Sequence, residues 1–267
     1  MEQPTAWIIT VGNEILIGRI VNTNASWLAR RLTLLGFRVE RIVTVPDSID
    51  DIAEEVGRAV SRAKVTITTG GLGPTYDDMT LEGVAKAVGR RLTLNRKALD
   101  MIRDFYSKRG LPITDDRKKM AMLPEGAEPI PNPVGAAPGS LLRVEDKLIV
   151  SLPGVPAEME EMFKAYVEPI LREIAPERHI VECSLIVQGV PESSLAPALK
   201  KAAKKYSGVY LKSHPKGHET LGPILDVRAL ASAGSREEAE TLAKRVLEEI
   251  EEAAKSIGGK TGEINCN

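Results

Sequence analysis

Three strand-like segments, two of them short runs of apolar and β-branched residues, each closed by glycine or proline and each followed by a helical period, constrain the first half of this 267-residue chain. Ala6-Trp-Ile-Ile-Thr-Val11 is nearly continuous and stops at Gly12. Phe37 to Val45 stops at Pro46, and Val65 to Thr69, β-branched throughout, stops at Gly70-Gly71. A strand that is an unbroken apolar run must be covered on both faces, as in a parallel sheet. Between the runs, residues 24–35 place Trp27, Leu28, Leu32 and Leu35 on one helical face, with Gly36 as the C-terminal cap. Ser48-Ile-Asp-Asp51 has capping-box spacing before a helix through Ile52, Val56 and Val60, and residues 79–88 form a third helix ending at Gly89. This βαβαβα rhythm predicts an α/β domain with a mostly parallel sheet.

Further along, helices are expected over 95–109 and 114–122, then a Pro/Gly-rich stretch from Leu123 to Gly139. Leu141–Val144 and Leu148–Leu152 flank Glu145-Asp-Lys147 as a hairpin. Leu152-Pro-Gly-Val-Pro156 is a rigid turn into a helix reaching Ile174, with a kink expected at Pro169. Near residue 175 the character changes. A strand over 180–187, a helix over 192–205 burying Leu195, Leu199 and Ala203, strands over 209–212 and 224–231, and a final helix opened by Ser235-x-x-Glu238 make a β-α-β-β-α unit. The expected organisation is an α/β domain over 1–175 and a smaller α+β domain over 176–267.

Composition removes several function classes. With 36 Lys+Arg against 37 Asp+Glu, the formal net charge of −1 provides no field for sequence-blind nucleic-acid binding. Two cysteines, Cys183 and Cys266, are too few for a disulfide framework or a four-thiolate zinc site. Three histidines, all between 179 and 218, do not suit a His-rich metal centre or a Ser–His–Asp triad. No apolar run approaches the roughly 20 residues of a membrane span. The first strand begins too early for a signal peptide, so a soluble, cytoplasmic protein is expected. Carboxylates, backbone amides and a hard cation remain as the chemistry available.

The segment from Thr68-Thr-Gly-Gly-Leu-Gly-Pro-Thr-Tyr-Asp-Asp-Met-Thr-Leu-Glu82 carries the strongest signal. It lies at the carboxyl end of a parallel strand, where open α/β sheets bind ligands. Gly70, Gly71 and Gly73 allow close backbone approach, and their amides precede a helix N-terminus that favours anions. No Gly-Lys-Ser/Thr follows, so it is not a P-loop, and it does not match the dinucleotide fingerprint. Asp77, Asp78 and Glu82 place carboxylates where a plain phosphate cradle would avoid them, which suggests a divalent cation between carboxylate and phosphate. Thr75-x-x-Asp78 is equally the spacing of a capping box, and capping by one residue and ligation by another are compatible. Two more loops end strands of the same sheet: Gly12 to Asn24 offers Glu14, Asn22 and Asn24, with Asn24 otherwise a helix cap, and Val45-Pro-Asp-Ser48 offers Asp47.

Gly12-Asn-Glu, Gly18, Asn22-Thr-Asn24, Thr69-Gly-Gly-Leu-Gly-Pro-Thr75, Asp77-Asp78, Asn132-Pro, Ala137-Pro-Gly139 and Leu152-Pro-Gly-Val-Pro156 together resemble the competence-damage-inducible, CinA-like family over about residues 4–170. Its main domain is similar to the molybdopterin-binding domain of molybdenum-cofactor biosynthesis proteins of the MoaB/MogA kind. The resemblance implies a three-layer α/β/α fold and divalent-metal-dependent pyrophosphatase activity on ADP-ribose, with magnesium or cobalt as the metal. It assigns Asp78 as the functionally important acid of the Thr-Gly-Gly loop, Asp47 as the second acidic position after strand two, and Gly154 as a ligand-contacting turn. Longer members carry a nicotinamide-nucleotide deamidase domain for which these 267 residues leave no room, so deamidase activity is not expected. Residues 176–255 resemble the small KH-like domain of the family but have no GxxG loop to clamp RNA.

The leading expectation is thus a nucleotide pyrophosphatase. Asp78 and Asp47 hold the metal, Glu82 acts as ligand or base, and Gly70, Gly71, Gly73, Thr75, Glu14, Asn22, Asn24, Gly139 and Gly154 contact substrate. Arg117, Lys118 and Lys119 are candidate phosphate contacts, though a solvated helix face accounts for them too. The alternative is a protein that binds or transfers molybdopterin or an adenylated pterin. A third reading makes the small domain a dimerisation or partner-docking module, and a homo-oligomer is expected. Lys200, Lys201, Lys204 and Lys205 form a solvated face, within a stretch, 198–218, that holds six lysines and no acid. His214 and His218 are placed in a loop between strands, where a metal pair is a remote option.

Overall fold

The computed structural model describes residues 3–216 and 222–267. The chain divides into two compact units, Met1–Pro176 and Glu177–Asn267. In the first, β1 (Thr5–Val11), α1 (Asn13–Leu16), α2 (Thr23–Leu34), β2 (Arg38–Val45), α3 (Ile49–Arg62), β3 (Val65–Thr69) and α4 (Thr80–Ala87) follow the expected alternation. Then come β4 (Leu92–Leu94), α5 (Arg96–Ser107), α6 (Asp115–Lys119), β5 (Met122–Pro124), β6 (Glu128–Ile130), β7 (Gly139–Val144) and β8 (Lys147–Leu152). The unit ends with α7 (Pro156–Met162), a π-helical turn over Phe163–Val167 and α8 (Glu168–Ile174).

The main sheet has the order β2-β1-β3-β8-β7-β6. β2, β1, β3 and β8 are parallel, while β7 and β6 extend the sheet antiparallel. The two-residue period of a strand divides β1 between two cores. Trp7, Ile9 and Val11 face Ile52, Val56, Val84 and Ile102 of α3, α4 and α5. Ala6 and Ile8 face Leu28, Leu32, Met159, Phe163 and Leu171 of α2, α7, the π turn and α8. Helices on both sides make the three layers, and this is why the central β1 and β3 read as continuous apolar and β-branched runs while the edge strand β2 carries charged residues.

Three expectations need correction. The Pro/Gly-rich stretch contains β5 and β6, each 3 residues long and so too short to show a period. The helix expected over 114–122 is the 5-residue α6. The helix from Pro156 deviates at Phe163–Val167, ahead of Pro169: proline has no N–H to donate and its ring collides with the carbonyl four residues earlier, so a π turn absorbs the mismatch.

The second unit comprises β9 (His179–Gln188), α9 (Glu192–Lys205), β10 (Val209–Lys216), β11 (Ile224–Ala233), α10 (Arg236–Ser256), β12 (Lys260–Thr261) and β13 (Asn265–Cys266). Its sheet runs β10-β11-β9-β12, all antiparallel, with β13 also on β9. Leu185, Val187, Val227 and Ala229 pack under Leu195, Ala202, Val246, Leu247 and Ile250. Ala202, not Ala203, takes the core position on α9, and Leu199 is only half-buried. Cys183 and Cys266 are bonded to each other, closing a loop of 83 residues. His214 lies within β10 rather than in a loop, opposite Asp226, and His218 lies outside the described residues. Among the described residues no helix is long and apolar enough to cross a membrane.

Candidate functional site

The carboxyl ends of β1, β2, β3 and β8 open into a cavity of about 630 Å³, within the range of small-molecule sites. Its walls are the loops singled out by the sequence: Gly12 to Asn24, Asp47, Thr69 to Asp78, and Pro153 to Pro156. Hydrogen bonds fasten these loops together. Asn22, not Asn24, caps α2: its Oδ1 accepts from Ala25 N–H at 3.1 Å, and its amide donates to Thr10 Oγ1 at 3.0 Å. Asn24 sits one position into the helix. Its Nδ2 donates to Thr69 Oγ1 at 3.0 Å and to the Gly154 carbonyl at 2.9 Å, while Thr69 Oγ1 donates to the Pro153 carbonyl at 2.9 Å. Asn24 is only 7% exposed, yet its Oδ1 has no hydrogen-bond partner. An unpaired buried acceptor on a residue that lines the cavity is a candidate partner for a ligand N–H or O–H.

The glycine loop departs from a simple phosphate cradle. Gly70 has φ +105°, and a Cβ there would strike the Val11 carbonyl, so the loop lies directly on β1. Its N–H is engaged with Leu152 O at 3.0 Å, which ties β3 to β8 and removes it from the donors a ligand could use. The amides of Gly71 and Gly73 make no hydrogen bond among the described residues. Gly73 is needed because a Cβ would stand 2.6 Å from Asp78 Oδ2. The Thr75-x-x-Asp78 spacing does not cap α4, which starts at Thr80, but its reach-back bond forms: Asp78 Oδ2 accepts from Thr75 N–H at 2.8 Å and also from Thr75 Oγ1 at 2.6 Å. The Thr75 hydroxyl also lies against Asp77. With the residue's own backbone amide, it holds the Asp77 carboxyl below the usual carboxylate range. Lys119 closes the loop from outside by donating to the Thr75 carbonyl.

Asp47 accepts from Asn13 N–H at 2.9 Å and so joins the first two loops. Glu14 lines the cavity from α1. Two lining residues escaped the sequence reading. Glu158, on α7, is reached by Asn132 Nδ2 at 2.7 Å; the Asn-Pro motif pointed to the segment but not to its partner 26 residues on. Tyr106 is the one aromatic in the lining, and the Arg117 guanidinium stacks 3.9 Å from its ring centre. Three expected residues lie elsewhere. Glu82 is exposed and borders a small cleft of about 30 Å³ beside Lys119, on the far side of the Gly71–Gly73 loop and Asp78, which line both spaces. Lys118 pairs with Asp115 at 2.8 Å, and Gly139 begins β7, where a Cβ would stand 2.7 Å from Ser151 O, which is a packing requirement.

The cavity lining therefore contains five carboxylates, on Glu14, Asp47, Asp77, Asp78 and Glu158, and no lysine or arginine. Among the described residues no three His, Cys, Asp or Glu are grouped as a ready-made metal centre. The donor set nevertheless fits a hard cation that takes a few protein oxygens and completes its shell from a ligand phosphate and water.

The family described as probable molybdopterin binding domain matches residues 7–173. The chain is a CinA-like member of that family. The crystallised CinA protein of Thermoplasma acidophilum, described as of unknown function, is 45% identical, with a TM-score of 0.60 over 63% of this chain and 98% of its own. A protein of Aeropyrum pernix is 60% identical over 262 residues, 98% of each chain, and one of Pyrobaculum calidifontis is 51% identical over 253 residues, 95% of this chain and 97% of its own. The second unit is thus shared with these two relatives, whereas the family match ends before it.

Proposed function

We propose that the cavity binds a phosphorylated pterin, molybdopterin or its adenylated form, and serves molybdenum-cofactor assembly. The observation that carries this reading is a lining of five carboxylates without one basic side chain, in a domain of the molybdopterin-binding family. Those carboxylates repel a bare phosphate, so a divalent cation, magnesium or cobalt, supplies the countercharge when bound. Asp47 and Asp78 hold it, since each keeps a second carboxylate oxygen beyond the loop contact at Oδ2. Gly71 and Gly73 turn their N–H groups to the phosphate. The unpaired Oδ1 of Asn24, reached by a small side-chain turn, accepts from a ring N–H, and the Tyr106 ring, fixed by Arg117, is a platform for a flat heterocycle. Equilibrium binding of molybdopterin, AMP and ADP-ribose, with and without magnesium, tests it. Preferential, magnesium-dependent pterin binding is expected, and equal or absent binding of all three rules it out.

A second reading uses the same carboxylates to hydrolyse a nucleotide-sugar pyrophosphate such as ADP-ribose. Glu14 and Glu158, which line the cavity, are suited to take a proton from an attacking water. Release of AMP and ribose phosphate from ADP-ribose with magnesium or cobalt, abolished in Asp78→Ala, would support it. Binding without turnover leaves the pterin reading alone.

A further inference from the structure

The second unit carries a groove of its own, between α9 and β10, of about 510 Å³. Among the described residues β10 ends its sheet and pairs with β11 alone, so alternate N–H and C=O groups along its outer edge have no strand partner there. Across from that edge, Ala196 and Ala203 are exposed and small, and Leu199 and Leu211 form an aliphatic floor. Lys200 and Lys212 border the groove, with Lys204 one turn further along α9. All three are exposed and make no salt bridge among the described residues, whereas Lys205 is held by Glu249 and Lys216 by Asp226. The one carboxylate in the lining, Glu192, is engaged by Ser213.

We propose that this groove docks an acidic, extended peptide segment of a partner protein, added beside β10 as a further strand. Such a strand alternates its side chains between the two faces of the sheet, so apolar residues on the α9 face reach Leu199 and Leu211 while Asp or Glu between them meet Lys212, and Lys200 and Lys204 add positive charge at the groove's margin. Charge complementarity selects the partner's sign, because the segment 198–218 holds six lysines and no acid. A nucleic-acid strand would meet the same charge but could not complete the ladder, and the lining has no aromatic on which bases stack.

Fluorescence anisotropy on the full chain tests this with a labelled, end-blocked peptide of alternating valine and glutamate, about eight residues long as strands are. Saturable, salt-sensitive binding is expected, with β10 amides protected from hydrogen exchange in the complex. Lys200→Glu with Lys212→Glu should weaken it at least about tenfold, or 1.4 kcal/mol, without lowering the melting temperature. Ala203→Tyr, at an exposed site, should weaken it by filling the groove while leaving the charge unchanged. The proposal is overturned by no saturable binding, by equal affinity for a valine–lysine peptide or in the charge-reversed variant, or by preference for a labelled uridine oligonucleotide.

Discussion

Asn24 Nδ2 donates to the Gly154 carbonyl at 2.9 Å, a contact spanning 130 residues that binds the start of α2 to the turn after β8. With the bond to Thr69 it makes one side chain the junction of three loops around the cavity. Asn24→Ala removes both donated bonds and leaves the buried Thr69 hydroxyl oxygen short of a donor, a cost of about 1–3 kcal/mol, with a smaller loss at the part-buried Gly154 carbonyl. Asn24→Asp keeps an acceptor for ligand but turns a carboxylate on the Gly154 carbonyl. Denaturant midpoints should fall in both. Ligand affinity per folded molecule should drop about tenfold only in Asn24→Ala; equal losses would leave Asn24 a structural residue.

Gly70 and Gly18 both have positive φ, at +105° and +71°, but only Gly70 has backbone in the way of a Cβ. Gly18→Ala should therefore cost about 1–2 kcal/mol, the left-handed penalty alone. Gly70→Ala adds a collision with Val11 O that moves the loop, and should cost more than Gly18→Ala and weaken ligand binding as well. Chemical denaturation of the two variants side by side checks the order.

Asp78→Asn preserves the shape of the side chain and an oxygen to accept from Thr75 N–H, while removing the charge. Ligand affinity measured with magnesium should fall at least about tenfold. In the presence of a chelator, wild type and variant should bind alike. A magnesium-independent loss would remove the cation from the reading.

Glu168, almost buried at the start of α8, lies between Arg31 and Arg172, the latter at 2.5 Å. Burial alone would raise its carboxyl, but the two guanidinium groups outweigh it and the net shift is downward. A carboxylate lowered in the folded state contributes stability above its unfolded value, near 4.3, and loses it as pH falls through the folded value. Glu168→Gln should flatten the fall in melting temperature below about pH 4.3. At neutral pH the variant should be less stable by about 1–3 kcal/mol.

The Cys183–Cys266 bond holds β13 to β9 and closes a loop of 83 residues. Reduction, or Cys266→Ser, should destabilise the second unit by about 2–4 kcal/mol. The first unit shares no covalent bridge with it, so cavity ligand affinity should not change. Calorimetry with and without reductant, together with a binding titration, reads both effects.

The layers of the first unit were legible in the sequence because they rest on local periodicity. Ala6 to Val11 and Val65 to Thr69 are apolar without a break, and Gly12 and Gly70 end them where the chain must turn. The location of the cavity followed from the same pattern, since Asn22, Asp47 and Asp78, which line it, all trail parallel strands. What the local pattern could not carry is which donor each side chain meets. Thr75-x-x-Asp78 has the spacing of a capping box and the carboxylate does fold back on Thr75 N–H, but α4 starts two residues beyond Asp78, so the pair closes the loop and caps no helix. Ala203 and Ala202 are indistinguishable by composition, and only the packing of α9 on the sheet chose between them.

By itself the sequence determined the alternating elements, the two-unit plan and the identity of most cavity loops, because those depend on residues within a few positions of one another. Only the tertiary structure decided that Glu158 and Tyr106 enter the cavity, that Glu82, Lys118 and Gly139 stay outside it, and that Cys183 meets Cys266. Those outcomes depend on contacts tens of residues apart, whose geometry is fixed by how helices and strands pack and not by any local period.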